Sequence, residues 1–318
     1  MWDYTQRLAQ ALARQGVAVD TYNAADWSPR GIAELWKVIR TPGRIVHLQH
    51  PSAAFEGRAF PYFIPLAALG RSPVVTIHEF TRKRKAGKVL AIALFVFARH
   101  LIFTTATERD AACRYFPPIR SKTSIIPIAS NIPLAPPRPW DTDLAYFGII
   151  RPHKGVEEFL DVVERIDNRA LKVRLIGQVP PDFTAYAAEL FVRADKLGVE
   201  LVLDRSDEDV AMLLSGVNMM LLPFPDGISV RRGSAIAAMA NGALVATTPA
   251  LKETATFRDI CVTGNTTAEF AELVRANHSD PAQFAAQREG GRLYARSLDW
   301  DGISESHRAL YRQLAPQG

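Results

Sequence analysis

The segment from Tyr146 to Gly155 combines two cations with the start of a predicted helix. It contains Tyr146-Phe-Gly-Ile-Ile-Arg-Pro-His-Lys-Gly155, in which a strand is expected to end at Ile150 and a helix to begin near Val156. Main-chain N–H groups at a helix N-terminus favour an anion, and Arg151 and Lys154 flank this one. The spacing predicts a diphosphate site. The alternative is a solvated basic loop.

A second loop, from Leu222 to Ser234, brings carboxylate, hydroxyl and cationic groups to the start of another predicted helix, Ala235–Ala240. The preceding strand is apolar throughout, so the loop is expected at the carboxyl edge of a sheet. Main-chain N–H groups and a serine hydroxyl can hold phosphate there, and the carboxylate can bind a sugar or ribose hydroxyl. The candidate residues are Asp226, Gly227, Ser229, Arg231, Arg232, Gly233 and Ser234. The alternative is a capped helix with an exposed arginine pair.

Two strand ends in the first half of the chain also carry polar side chains. The run Val74-Val-Thr-Ile-His-Glu-Phe80 places His78 and Glu79 at the end of a strand, and Thr107-Glu-Arg109 follows the next strand. His78 has either a ligand-binding or catalytic role or a purely structural one. Glu108, with Arg109 beside it, either caps the helix Thr107–Tyr115 or contacts a ligand.

A cluster of cations precedes the apolar stretch Val89–Ala98. Such a pattern can dock on anionic lipid headgroups or meet a diphosphate-linked acceptor. A solvated loop before a buried core helix explains it equally well. The cluster consists of Arg82, Lys83, Arg84, Lys85 and Lys88.

Length and composition exclude several classes of protein. The 318 residues are 48% apolar and 22% charged, which suits two globular domains and neither a disordered nor a fibrous chain. Thirty-eight Lys and Arg against 33 Asp and Glu give a net charge of +5, suited to phosphate-bearing ligands or an anionic membrane face without requiring nucleic acid. The two cysteines, Cys113 and Cys261, form no disulfide framework and indicate a reduced, cytosolic protein. We identify no signal peptide or apolar run long enough to span a membrane.

Metal binding is not indicated by the histidines. His47 and His50 flank Gln49 at another strand end, but no acidic or thiol group follows at ligand spacing.

Alternating strands and helices predict an α/β fold with parallel sheets. The chain opens on an amphipathic helix, Trp2 to Gln15, rather than on a strand and a glycine loop. The predicted strands of the first half are Val17–Tyr22, Ile45–Gln49, Val74–His78, Leu101–Thr104 and Ser124–Ile128.

The proline-rich stretch Asn131 to Trp140 is interpreted as a linker between two Rossmann-like domains that face a cleft. We assign residues 1–135 to the first domain, with a C-terminal helix at 300–318 packing back on it, and residues 136–299 to the second. The strands expected in the second half are Leu144–Ile149, Val173–Ile176, Glu200–Leu203, Met219–Leu222, Ala243–Ala246 and Ile260–Val262.

Together these segments resemble the retaining GT-B glycosyltransferases of the group-1 (family 4-like) nucleotide-sugar family, whose enzymes build bacterial polysaccharides and glycolipids. Gly148, Arg151 and the pair Lys154-Gly155 are similar to that family's Gly…Arg…Lys-Gly signature, in which Arg and Lys hold the donor diphosphate. The run from Pro223 to Thr247 resembles its donor loop and following helix. The segments Thr76–Glu79 and Ile126–Ile132 resemble its acceptor-side strand and the approach to its linker.

The chain departs from the family pattern in two places. Counting back from Gly242, the second of the family's two glutamates, which lie eight residues apart, falls on Ala237. Asp226 takes the place of the first only if the loop carries a three-residue insertion. The first strand and glycine-rich loop of the acceptor domain are missing, as expected of a late start or a shortened natural form. A late start would leave an unpaired sheet edge next to Val17–Tyr22.

The resemblance implies transfer of a sugar from a nucleoside-diphosphate sugar to a hydroxyl of a polysaccharide or lipid-linked glycan, with retention and without an essential metal or other cofactor. It implies catalytic roles for His78, Asp226, Arg151 and Lys154, and an acceptor side at His78, Glu79, Glu108 and Arg109. The expected location is cytoplasmic, with peripheral attachment to the inner face of the cell membrane. The alternative is a catalytically degenerate GT-B protein that binds sugar nucleotides or serves as a partner subunit.

Overall fold

The computed structural model describes residues 2–23, 26, 28–41, 45–50, 58–250 and 254–315. They divide into two compact units, residues 1–129 with 300–318, and residues 130–299. The helices are α1 (Trp2–Arg14), α2 (Pro29–Arg40), α3 (Ile64–Ala67), α4 (Lys85–Phe97), α5 (Ala106–Tyr115), α6 (Val156–Ile166), α7 (Thr184–Leu197), α8 (Asp207–Ser215), α9 (Gly233–Ala240), α10 (Thr254–Phe257), α11 (Thr267–Ser279), α12 (Ala285–Arg296) and α13 (Trp300–Leu314). The strands are β1 (His47–His50), β2 (Val74–Ile77), β3 (His100–Phe103), β4 (Thr123–Ile125), β5 (Thr142–Ile149), β6 (Val173–Gln178), β7 (Glu200–Leu203), β8 (Val217–Leu222), β9 (Leu244–Thr247) and β10 (Val262–Thr263). Short 3-10 helices cover Phe60–Phe63, Pro117–Lys122, Pro181–Phe183 and Pro281–Phe284.

Each unit contains a parallel sheet, as the strand and helix alternation predicts. The first unit has the strand order β1-β2-β3-β4, and the second has β10-β9-β8-β5-β6-β7. Every strand pair is parallel, with Leu144 opposite Val173 on one side of β5 and opposite Met219 on the other. Both units are therefore Rossmann-like, and the carboxyl ends of neighbouring strands lie at one edge of each sheet.

The predicted strand Val17–Tyr22 is wrong, because these residues adopt no regular structure. Gly16, with a φ of +79°, turns the chain at the end of α1, and the Val17 N–H donates to the Leu12 carbonyl at 3.0 Å. Val17 packs against the apolar face of α1, so its hydrophobic character serves the end of the helix and not a sheet. The other predicted strands form, with ends that differ by at most three residues.

The second unit has the larger core, built on strands that are buried on both faces. All residues of β8 are buried, and α6 covers β5 with Phe159, Leu160 and Val163. Full burial of an apolar side chain of this size stabilises the fold by about 1.5–3 kcal/mol. The loops that follow β5 and β8 therefore leave from firmly held strands.

The last helix, α13, packs against α1 in the first unit. Arg14 pairs with Asp301 at 2.9 Å, and the rings of Tyr4 and Trp300 lie 5.2 Å apart. This packing brings Tyr311 against β1. None of the helices in the described part of the chain combines the length and apolar character that crossing a membrane requires.

Candidate functional site

The turn that follows β5 is held against the turn that follows β8. Gly155 has a φ of +83°, and a Cβ on it would lie 2.3 Å from the Pro223 carbonyl oxygen. The Tyr146 hydroxyl donates to the Lys154 carbonyl at 3.0 Å, which fixes the same turn from the buried side. Helix α6 begins directly afterwards, so Arg151 and Lys154 lie beside its N-terminus, as predicted from the sequence.

Gly148 lies within β5, opposite Gly177 of the neighbouring strand β6. A Cβ on Gly177 of β6 would stand 2.2 Å from the Gly148 carbonyl oxygen. A Cβ on Gly148 itself would stand 3.2 Å from the Tyr146 hydroxyl. Close packing at the carboxyl edge explains a glycine here, and donor contact at Gly148 stays a prediction.

The loop after β8 begins with a tight turn. The Gly227 N–H donates to the Phe224 carbonyl at 3.0 Å, and Gly227 has a φ of +76°. A Cβ on it would meet the Pro249 carbonyl oxygen at 2.3 Å, and the Ile228 N–H donates to Thr248 at 3.1 Å. Gly227 therefore joins this loop to the one that follows β9.

Asp226 and Arg232 form an ion pair within the same loop. The Arg232 guanidinium also lies 4.3 Å from the centroid of the Phe224 ring. Arg232 is mostly buried in this position, whereas Asp226 is largely exposed. The carboxylate predicted to contact a sugar thus holds a cation above the aromatic ring.

Helix α9 starts without a side-chain cap. Arg232 is its N-cap residue, and the main chain of Ser229 and Arg231 accepts from the Arg232 and Gly233 N–H groups at 3.0 and 3.1 Å. Ser234 is half-buried in the first turn. The helix is two residues longer at its start than predicted, because Gly233 and Ser234 belong to it.

Each of the two predicted loops places an arginine close enough to the Tyr146 hydroxyl to affect its pKa. Burial raises its pKa, while the positive charges of Arg232 and Arg151 act in the opposite direction. The negative charges of Glu157 and Glu158 raise the pKa further. Two arginines predicted independently, one from each loop, therefore act on the same hydroxyl group.

Sequence reasoning missed a small polar group at this edge. Burial raises the pKa of the Tyr186 hydroxyl, and the negative charge of Glu157 raises it further. Glu157 and Glu158 stand in the first turn of α6 beside the predicted phosphate site. Acidic residues in a first turn are an ordinary helix signal, so nothing in the sequence marks Glu157 as a neighbour of Tyr186.

His78 is buried at the end of β2 and belongs to a chain of hydrogen bonds. Its Nε2 lies 2.9 Å from Gln49 Oε1, and Gln49 Nε2 lies 3.3 Å from His47 Nε2. The same nitrogen of His47 lies 2.8 Å from the Thr76 hydroxyl, and its Nδ1 lies 2.5 Å from the Tyr311 hydroxyl.

These contacts fix the neutral tautomer of His78. The amide NH2 of Gln49 donates to His47 Nε2, so the amide oxygen is left to accept from His78 Nε2–H. The lone pair of the neutral His78 ring then resides on Nδ1. Burial lowers the pKa of His47 well below its usual value, helped by the nearby His307 and His78, which keeps the first ring of this chain neutral.

Glu108 positions the turn that follows His78 and Glu79. Its carboxylate accepts from the Phe80 N–H at 2.6 Å, and from the N–H and hydroxyl of Thr81 at 2.8 and 2.7 Å. The helix cap is Thr105, whose hydroxyl accepts from the Glu108 N–H at 3.1 Å. Glu108 is thus engaged within the fold, and a ligand contact by it stays a prediction.

The neighbouring charged residues form local pairs. Glu79 pairs with Arg82 at 3.6 Å. Arg109 pairs with its neighbour Asp110 at 2.8 Å.

Lys83 does not belong to the surface cluster in which the sequence places it. It is only 8% exposed, and its ammonium donates to the Tyr62 hydroxyl at 3.2 Å. Arg82, Arg84 and Lys85 are exposed, and Lys88 is half-buried with its ammonium 5.7 Å from the Phe80 ring. The solvated part of the cluster therefore excludes Lys83.

Among the residues that the structure describes, no three His, Cys, Asp or Glu side chains are grouped so that they could hold a metal ion.

Comparison with known proteins gives matches in structure only. No model of a protein family matches the chain, and no curated protein does. A glycosyltransferase from Rickettsia africae matches with a TM-score of 0.74 and 12% identity, over 98% of this chain and 88% of that one. Sucrose-phosphate synthase from Thermosynechococcus elongatus matches with a TM-score of 0.70 and 17% identity, over 98% and 92%. HepE from Anabaena, solved with UDP and glucose, matches with a TM-score of 0.70 and 14% identity, over 95% and 88%. Their shared architecture and the two parallel sheets described above assign this chain to the GT-B fold.

Proposed function

We propose that the protein transfers a sugar from a nucleoside-diphosphate sugar to a hydroxyl acceptor, with retention of configuration and without an essential metal. The fold supports this proposal, because solved proteins of the same architecture bind UDP and sugars, as the HepE complex does. The observation that supports it is that Arg151 and Arg232, one from each loop, both act on the Tyr146 hydroxyl, which also binds the main chain of Lys154. Ligands of open α/β sheets bind at the carboxyl edge of the strands, which both loops follow.

The chemistry requires stabilisation of a leaving diphosphate. The bond between the anomeric carbon and a phosphate oxygen breaks, the electron pair stays on the diphosphate, and the acceptor oxygen bonds to the same carbon after losing its proton. Fixed cations at Arg151, Lys154 and Arg231 or Arg232 lower the energy of the charge that develops. Ser234, in the first turn of α9, lies where main-chain N–H groups at a helix N-terminus suit the same anion.

The remaining donor contacts are proposed for the loop after β8. Asp226 and Ser229 can bind sugar or ribose hydroxyls beside Gly227, whose turn fixes their spacing. The ion pair of Asp226 with Arg232 lets one residue orient a hydroxyl and hold a phosphate-binding cation at the same time.

The acceptor is proposed to bind at the strand ends of the first unit. His78 and Glu79 follow β2, and Arg109 lies in the first turns of α5, which Glu108 ties to the Phe80 turn. His78, held through its Nε2 by Gln49, is the proposed base for an acceptor hydroxyl. A polysaccharide or lipid-linked glycan would supply that hydroxyl at the cytoplasmic face of a membrane.

A donor panel tests the proposal. The protein is incubated with UDP-glucose, UDP-N-acetylglucosamine or GDP-mannose and a mixture of glycan and lipid-linked acceptors, with and without EDTA. We expect nucleoside diphosphate release that survives EDTA and a product whose anomeric configuration, read by NMR, matches that of the donor. Tight nucleotide binding with no release from any donor would reject the enzyme.

A binding protein without turnover is the second candidate. Ala237, the position of the family's second glutamate, is fully buried, and α9 carries no carboxylate at all. A GT-B protein of this kind would bind sugar nucleotides and act through a partner. The panel separates the candidates, because this one predicts affinity for nucleotide without its release from the sugar.

A further inference from the structure

Positive charge is concentrated in one part of the first unit. Residues 58–107 contain eight Lys and Arg against one Asp or Glu, a net +7, whereas the whole chain carries +5. The rest of the chain is therefore slightly acidic. Any anionic surface that the protein meets will be attracted to this segment first.

The same segment exposes aliphatic side chains in a regular stripe. Lys85, Val89 and Val96 recur at helical spacing along α4, so they share one face. Val89 is 59% exposed and Val96 is 50% exposed. The outward face of a core helix would instead be polar.

A second stripe lies beside the first. Phe63 ends the 3-10 helix, Leu66 lies in α3 and Leu69 follows it; all three are exposed, Leu69 by 57%. Leu69 and Val96 line the same pocket of about 410 Å³. The two stripes therefore form a single apolar surface, here called the α3–α4 face, which consists of Phe63, Leu66, Leu69, Val89 and Val96.

Cations stand at both ends of this face. Lys85 and Lys88 lie in the first turn of α4, whose 13 residues span about 20 Å. Arg99 and Lys122 line the pocket at the other end with Leu69 and Val96. Lys122 donates to the Val96 and Ala98 carbonyls at 3.1 and 2.7 Å, which holds its ammonium in place.

The Arg99 and Lys122 charges are close enough to act on each other. Burial lowers the pKa of Lys122, and the charge of Arg99 lowers it further. An anion in the pocket would relieve that repulsion. With Lys85 and Lys88 at the opposite end, the face offers two separate anion contacts with aliphatic side chains between them.

We propose that the α3–α4 face docks on an anionic lipid bilayer, with its aliphatic residues at the acyl boundary and a lipid phosphate in the Arg99–Lys122 pocket. Aliphatic residues between cations fit headgroups and acyl chains together. A nucleic acid has phosphates but no apolar layer that would contact the aliphatic residues. An acidic protein does not combine these features in the regular way that a bilayer does. The inference deepens the proposed function by naming the surface that would supply a lipid-linked acceptor, but docking requires no sugar transfer.

Co-sedimentation with vesicles tests the proposal on the full chain. We expect binding to vesicles of phosphatidylcholine and phosphatidylglycerol at 50 mM salt, and at least fivefold weaker binding to phosphatidylcholine alone or at 500 mM salt. A cation near an anionic bilayer changes partitioning by about fivefold. K85Q/K88Q should therefore weaken binding by tenfold or more, and R99Q by about fivefold.

The apolar part of the face has a matched control. L69N/V96N should weaken binding about tenfold, whereas V192N/L293N, which alters two equally exposed aliphatic residues of the second unit, should stay within twofold of wild type. K196Q/R205Q is the corresponding charge control. If L69N/V96N does not fold, as judged by thermal unfolding, V89N replaces it.

Three results would overturn the proposal. They are recovery of the wild type in the supernatant with anionic vesicles, equal losses in face and control variants, and a wild-type dimer that L69N/V96N converts to monomer. The last would mean that a second copy covers the face. Loss of nucleotide binding with vesicle binding intact would reject only the proposed function.

Discussion

Gly155 lies against Pro223 so closely that a Cβ on Gly155 would stand 2.3 Å from the Pro223 carbonyl oxygen. The contact joins the turn after β5 to the turn after β8, and these two strands are neighbours in the sheet. The cations of two loops that lie far apart in the sequence are thereby held at one edge.

Replacing Gly155 with Ala should loosen this junction. The residue has a φ of +83°, which costs an L-residue about 1–2 kcal/mol, and the added methyl group displaces a main-chain carbonyl. We expect the free energy of unfolding to fall by about 2 kcal/mol and UDP affinity to fall with it. Gly233→Ala is the control for stability, because its Cβ meets no atom within 4 Å. Equal urea midpoints for the two variants would contradict the account.

Removing the Glu108 carboxylate should destabilise the turn after His78. Glu108→Ala leaves the buried N–H of Phe80 and that of Thr81 without their acceptor, at a cost of about 3 kcal/mol. Glu108→Gln keeps one oxygen and should lose about half as much. Arg109→Ala, which breaks an exposed pair, should change stability by less than about 0.5 kcal/mol. Denaturant unfolding ranks the three, and a Glu108→Ala variant as stable as Arg109→Ala would refute the positioning role.

Stability should fall as the pH drops from 7.5 to 5. Burial lowers the pKa of His307 to about 4, against about 6.5 in the unfolded chain. Between these values the unfolded state binds a proton that the folded state does not, so acid favours unfolding. The contribution of His307 is about 2 kcal/mol over this interval. The rings beside it, His47 and Tyr311, are half-buried, and burial lowers the pKa of His47 in the same direction.

One variant tests the contribution of His307 to this pH dependence separately from that of the other groups. His307→Gln should remove about 2 kcal/mol of the difference in free energy of unfolding between pH 7.5 and 5, whatever its effect at pH 7.5. Val192→Gln, at an exposed residue of the second unit that carries no titratable group, should leave the pH profile unchanged. Parallel profiles for wild type and His307→Gln would show that this histidine does not titrate on unfolding.

The Asp226–Arg232 pair gives a prediction that separates binding from chemistry. Asp226→Asn removes a negative charge from the diphosphate site, so UDP affinity should stay within threefold or improve. Sugar transfer should fall at least tenfold, because the proposed sugar contact is lost. An unchanged transfer rate for Asp226→Asn, measured with saturating donor, would show that Asp226 does not contact the sugar and serves only to position Arg232.

Strands that are buried on both faces of a sheet could be predicted from the sequence, because such strands are short runs of apolar residues. Runs such as Val74–Ile77 are continuous, short and β-branched, which is typical of parallel strands buried on both faces. Val17–Tyr22 also contains β-branched residues, but the Val17 N–H caps the end of α1, and the residues after it pair with no strand. Composition alone does not distinguish these two uses of valine.

The candidate site was only partly predictable. The cations of both loops stand at strand-to-helix turns, which a linear pattern marks directly. The proximity of Glu157 to Tyr186 and the burial of Lys83 against Tyr62 join residues that are distant in the sequence, so a local pattern carries no signal for them. Asp226 and Arg232 are only six residues apart, but their loop has no regular pattern, so the sequence did not indicate that they would pair.

Calorimetric titration with UDP and GDP tests the central claim, that the turn after β5 holds a nucleoside diphosphate. We predict saturable binding of at least one nucleotide by the wild type, and a tenfold to hundredfold loss in both Arg151→Ala and Lys154→Ala, since a charged hydrogen bond contributes about 1.5–3 kcal/mol. Arg82→Ala, which removes an exposed cation of the first unit, should bind as the wild type does. Equal affinities of all four proteins, or no affinity of the wild type for either nucleotide, would contradict the claim.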